Sequence, residues 1–105
     1  HLSAGANPNH RNMHGETALH VVRGVNAAEI AHLLIAHGAN VNLQDRLGET
    51  PLLSAVRARE YQLAQVLLAS GADPNIADKF GVTPAQAVRT SNDPRLLAMF
   101  SNSPR

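Results

Sequence analysis

Six histidines give this chain its first candidate chemistry, since imidazole binds metals and moves protons near neutral pH. His10 and His14 stand four apart, the spacing that would place them on one helix face, but they fall in a loop rich in Pro and Asn. His32 and His37 are five apart, and His37 directly precedes Gly38. No pair has an Asp or Glu at ligand spacing, and the chain has no Cys, so no metal site is expected. Ser54 and Ser70 lack a Gly-x-Ser-x-Gly elbow and a histidine in register, which argues against a serine nucleophile. Glu16 and Glu49 recur at a fixed interval rather than facing each other, so they do not form an acid/base pair. With no Gly-rich phosphate loop, no cofactor is expected, and the chain is read as not an enzyme.

The remaining chemistry is surface chemistry. Eight Arg and one Lys (Lys79) face eight acidic residues, leaving a net charge of +1. That balance argues against nucleic acid as the partner, and three aromatic residues are too few for a base-stacking platform. The length of 105 residues suits one domain, and 44% apolar residues is too many for a disordered tail. No apolar run reaches membrane-spanning length, so no membrane contact is expected. The chain opens on His1 rather than Met and shows no signal peptide, so it is read as a piece of a longer protein.

The elements that position these residues repeat. Gly5-Ala6, Gly38-Ala39 and Gly71-Ala72 recur every 33 residues, as do Gly15, Gly48 and Gly81, each followed two residues on by a Thr. Residues 15–47 and 48–80 share 11 of 33 identities. In the middle unit Thr50-Pro51 starts a helix: the hydroxyl caps a free N–H, and proline fits the first position because its missing N–H has no helical partner there. The spacing predicts helices over 51–57 and 61–69, the second with Leu63, Val66 and Leu67 inward, stopped by Gly71. The preceding unit predicts helices near 18–23 and 28–36. Helices this short do not stand alone in water. Stacked units that share one continuous core do, which implies an elongated stack with a thin core.

The 33-residue period, Gly-x-Thr-Pro-Leu at the opening of the helix pair and Gly-Ala-x-x-Asn at its close resemble the ankyrin repeat. The carriers are Gly15-Glu16-Thr17-Ala18-Leu19-His20, Gly48-Glu49-Thr50-Pro51-Leu52-Leu53 and Gly81-Val82-Thr83-Pro84-Ala85-Gln86. The resemblance implies an all-α ankyrin-repeat solenoid of helix-turn-helix units joined by β-hairpin loops. It divides one domain, 1–105, into the tail of a truncated repeat (1–14), repeats at 15–47 and 48–80, and a C-terminal capping repeat (81–105). The cap carries a polar inner helix with Gln86, Arg89 and Thr90. The resemblance makes His20 an internal residue that ties Thr17 to neighbouring backbone, a role Leu53 and Gln86 cannot copy. It also puts Asn26, Arg59 and Asn92 at the turn usually held by Gly, where an arginine would be strained.

Function, on this resemblance, is non-catalytic binding of a partner protein inside the cell, through hairpin tips and the concave inner-helix face. Carried over by position, the tips are Met13, His14 and Glu16; Arg46, Leu47 and Glu49; Lys79, Phe80 and Val82. The inner helices add Arg23, Val25, Arg57, Ala58, Arg89 and Thr90. Met13, Leu47 and Phe80 fall one period apart and should align as an apolar ridge beside a basic stripe of Arg23, Arg57 and Arg89. The recurring Asn42 is expected to lock its loop, and the resemblance also makes it a hydroxylation position. The alternative function is a structural spacer or capping end whose recognition surface lies upstream. Self-association is a further expectation, through an N-terminal edge exposing Leu19, Leu33 and Leu34.

Overall fold

Several of the helices begin at a polar side chain that caps a free backbone N–H. The computed structural model describes residues 9–101, so the expected Gly5-Ala6 loop lies outside the described residues. Among them are six helices and no strand: α1 (Ala18–Val21), α2 (Ala27–Ala36), α3 (Pro51–Arg57), α4 (Tyr61–Ala69), α5 (Pro84–Ser91) and α6 (Pro94–Ser101). Thr50 Oγ1 accepts the N–H of Leu53 at 3.3 Å, and Thr83 Oγ1 accepts that of Gln86 at 3.1 Å. Asp93 does the same for α6, with Oδ1 accepting from the N–H of Arg95 at 3.0 Å.

Helix ends follow one pattern. At α2 and α4 the residue past the cap is Gly38 or Gly71 with positive φ. Two reverse bonds close each end: Ala39 N–H to Leu34 O and Gly38 N–H to Ile35 O, then Ala72 N–H to Leu67 O and Gly71 N–H to Leu68 O. The end of α3 has the same two bonds, Glu60 to Ala55 and Arg59 to Val56, but the residue with positive φ (56°) is Arg59. The tight turn expected from the resemblance is therefore present, with a side chain in it. The first unit differs. Helix α1 is one turn long, Val22 is extended, and the positive φ belongs to Gly24 rather than Asn26, which starts α2 at φ −104°.

The helices form two layers. Helices α1, α3 and α5 pack side by side, α2, α4 and α6 lie behind them, and each first-layer helix meets its own partner. The core runs through both layers, with Leu19, Leu52, Leu63, Leu67 and Leu96 almost fully buried. Ala31 and Ala64 have no exposed surface and let α2 and α4 approach closely. The buried face of α4 is Leu63, Ala64, Leu67 and Leu68, while Val66 is only half-buried. That face is rotated from the expected one because α4 is covered by α2, α3 and α6 together. The extents of 41 × 26 × 25 Å and a radius of gyration of 12.9 Å match an ordinary domain of this size, about 13 Å. At this number of units the expected elongation is slight.

Candidate functional site

The loops between helix pairs are closed by their own acids and amides. In the middle loop Asp45 Oδ1 accepts the N–H of Leu47 and of Glu49, both at 2.9 Å, and Asp45 N–H donates to Glu49 O at 2.9 Å. Asp78 holds Phe80 and Val82 in the same way, and Asn12 holds His14 and Glu16. Each tip is then hydrogen-bonded to the next: Arg46 N–H to His14 O at 3.1 Å and Lys79 N–H to Leu47 O at 2.9 Å. Gln44 Nε2 adds bonds to Gly48 O (2.9 Å) and Ala77 O (3.1 Å). The glycines after the first two tips are required twice over, by their positive φ and by a close neighbour. Gly48 has φ +82°, and a Cβ there would lie 2.7 Å from Lys79 N; Gly15, at φ +73°, would place one 2.9 Å from Arg46 N.

This stacking brings Met13, Leu47 and Phe80 out on consecutive tips, at 78%, 45% and 70% exposure. Lys79 Nζ lies 5.6 Å from the Phe80 ring centre. His14 and Arg46 are exposed, Glu16 and Val82 half-buried. Glu16 Oε1 accepts from Asn12 Nδ2 at 3.1 Å. Arg57, at the end of α3, ties the helix to two tips: it pairs with Glu49, and its Nη2 lies 3.4 Å from Asp78 Oδ2. Ser54 Oγ also donates to Glu49, at 3.4 Å.

The other candidates are placed less tightly together. Arg23 turns onto its own backbone, donating to His20 O at 3.0 Å and Val22 O at 2.8 Å. Val25, 93% exposed, sits in the turn after α1, and Ala58 caps α3. Arg89 and Thr90 are exposed on α5. Between α3 and α5 runs a groove of about 330 Å³, lined by Val56, Val82 and Ala87 together with Arg57, Arg59, Thr90 and Ser91. Val56 and Ala87 escape sequence reasoning because each sits in an ordinary helical pattern.

The histidines divide by burial. His20 is 2% exposed, with Nδ1 3.0 Å from both the N–H and the hydroxyl of Thr17, and Nε2 2.8 Å from Glu49 O. Facing a carbonyl, Nε2 carries the ring proton, and His20 thereby ties one helix start to the next loop. His10, His14, His32 and His37 are exposed, and His37 Nδ1 lies 2.8 Å from Leu33 O. Among the described residues no cluster of three or more His, Asp or Glu could hold a metal ion. Asn42 is half-buried, and its Oδ1 accepts the N–H of Asp73 at 2.8 Å; Asn9 Oδ1 likewise accepts that of Asn40 at 2.6 Å. Each asparagine thus fixes the loop of the following unit.

A second cluster lies at the turns. Tyr61 Oη and Arg59 Nη1 both reach Asp93 Oδ2 at 2.6 Å, and the Arg95 guanidinium stacks 4.7 Å from the Tyr61 ring centre. The Tyr61 hydroxyl, then the Arg95 amide and the Arg59 guanidinium, hold the Asp93 carboxyl below its ordinary range against the opposing effect of burial. Tyr61 and the Asp93 carboxyl in turn raise the Arg59 guanidinium above its ordinary value. Glu60 Oε2 lies one period before Asp93 and accepts the Gly24 N–H at 3.3 Å, again at the preceding turn.

At the N-terminal edge, Leu19 and Leu34 are buried and only Leu33 of the expected trio is exposed, at 58%. The helix carrying Leu19, α1, packs on α2 and α3, and the helix carrying Leu34, α2, packs on α1 and α4. No helix among the described residues is long and apolar enough to cross a membrane. A family model described as ankyrin repeats in three copies matches residues 1–78. No curated protein matches the chain significantly.

Proposed function

The chain belongs to the ankyrin-repeat family, and on that premise we propose that it is a non-catalytic module that binds a partner protein through its hairpin tips and first-layer helices. Ankyrin repeats generally act as protein-interaction modules and are common in intracellular proteins, where we place this one. The carrying observation is the row of Met13, Leu47 and Phe80, exposed on three tips that main-chain bonds hold in fixed relation. Exposed apolar side chains bordered by arginine suit an interface, and a prebuilt face loses little entropy on binding.

The test is paired affinity capture with the native chain and a Leu47→Asp/Phe80→Asp variant of unchanged circular dichroism. A protein held by the first and lost by the second supports this face. Equal capture would sink it, and no capture would favour the spacer or capping-end reading. Arg57 is unsuitable for this test, because a carboxylate at that position would join Glu49 and Asp78 in one cluster. We also propose Asn42 as the hydroxylation position; a native-chain peptide lacking the added mass of one oxygen atom would count against it.

A further inference from the structure

The tip face sorts its charges by direction, although the chain as a whole is nearly neutral. Four of the acidic residues lie on it, and all are turned inward or engaged. Asp45 and Asp78 each use Oδ1 to hold two backbone N–H groups, and Asp78 is 6% exposed. Glu49 is taken by Arg57 and Ser54, and Glu16 by Asn12. Arg57 and Arg23 are engaged as well, but Arg46, Lys79 and Arg89 are exposed. The exposed side chains of Arg46 and Arg89 have no hydrogen bond or ion pair among the described residues, and Lys79 only overlies Phe80.

The groove between α3 and α5 opens on the same face. Its apolar lining is Val56, Val82 and Ala87, and the arginines that also line it, Arg57 and Arg59, are already paired with carboxylates. The hydroxyls beside it are already spent, Thr90 donating to Ala87 O at 3.1 Å and Ser91 to Val88 O at 2.6 Å. Its volume of about 330 Å³ lies at the bottom of the range for small-molecule clefts, roughly 300–1,000 Å³, and suits one or two side chains.

We infer that the partner presents an acidic segment bearing aliphatic side chains, its carboxylates meeting Arg46, Lys79 and Arg89 while an aliphatic side chain enters the groove between α3 and α5. The inference rests on the reading of the tip face as the binding surface. Its physical basis is complementarity: free cations around apolar contacts steer an acidic partner inward and penalise a basic one. The same cations could meet nucleic-acid phosphates, but the exposed apolar ridge between them has no role there.

The experiment selects short random peptides displayed on phage against the native chain, with a short single-stranded DNA as a parallel probe. Enriched peptides should carry a net negative charge with Leu, Ile or Val between the acids. Their affinity should fall about tenfold for Arg46→Ala/Arg89→Ala, and stay within about twofold for His32→Glu/Gln65→Glu, which lowers the charge equally on exposed α2 and α4 positions. Raising the salt should weaken binding. Neutral or basic peptides that still lose affinity to Leu47→Asp/Phe80→Asp would overturn this inference and leave the tip face standing. Peptides indifferent to that variant would overturn both. DNA binding at comparable strength, or no enrichment over an unrelated bait, would also overturn the acidic-segment inference.

Discussion

Arg59 holds a left-handed backbone conformation that costs a side-chain-bearing residue about 1 kcal/mol or more, and its guanidinium reaches a buried carboxylate 34 residues away. The strain was legible from the arginine at a turn position; its partner was not, because no other turn in the chain carries an equivalent arginine. Asp93-Pro94 does carry a sequence signal, the same cap-then-proline step as Thr50-Pro51 and Thr83-Pro84. Because the folded chain holds the Asp93 carboxyl below its unfolded value, the contribution is fully present above about pH 4. It is lost as pH falls through the folded value. Asp93→Asn should therefore flatten the acid limb of stability, and Tyr61→Phe, which removes the largest cause, should flatten it in part. Urea midpoints measured from neutral to acid pH check this; parallel limbs for native and Asp93→Asn chains would refute it. His20→Ala strands the buried Thr17 amide and should cost about 1–3 kcal/mol in the same assay.

Among the elements, the middle unit was the most readable. Its helices lie at 51–57 and 61–69 as the capping and periodicity imply, since Thr-Pro and Gly are strong local signals. The first unit was less so. Thr17-Ala18 lacks the proline, α1 closes after one turn, and Gly24 takes the turn conformation that Asn26 was expected to hold. Contacts between loops were the least readable, because a repeated glycine does not show whether it serves a turn or a neighbour. Two substitutions separate these roles. Gly81→Ala meets open space and should cost only the strain of its positive φ, about 1 kcal/mol. Gly48→Ala also drives a Cβ into Lys79 N and should cost distinctly more, roughly 2–4 kcal/mol. Thermal or urea unfolding of the two variants decides it; equal losses would mean that the loop contact yields freely.

For the molecule as a whole, stability comes from neighbour-to-neighbour packing, since each helix's main contacts are with its pair partner or its counterpart in the adjacent pair. Protection should therefore peak where both sides are covered. Amides of α3 and α4 should exchange slowest and those of α6 faster, as measured by hydrogen exchange; uniform protection would show the stack to open only as one unit. The binding face had a mixed legibility. The period aligned Met13, Leu47 and Phe80, but the inward turn of the acids depends on bonds that only the folded loops reveal.

The acids at the turns bear on how such a chain could grow. Glu60 reaches back to Gly24, and one period later Asp93 reaches back to Arg59. If residues 48–80 were duplicated in tandem, the Arg59 of the first copy would face the glutamate of the second, so the new seam would again join arginine to a carboxylate. The asparagine-to-loop bonds and tip-to-tip amides would recur as well, because their groups lie within the duplicated span or at its edges. The junctions are thus written in a form that a single in-frame duplication can extend without rewriting either end.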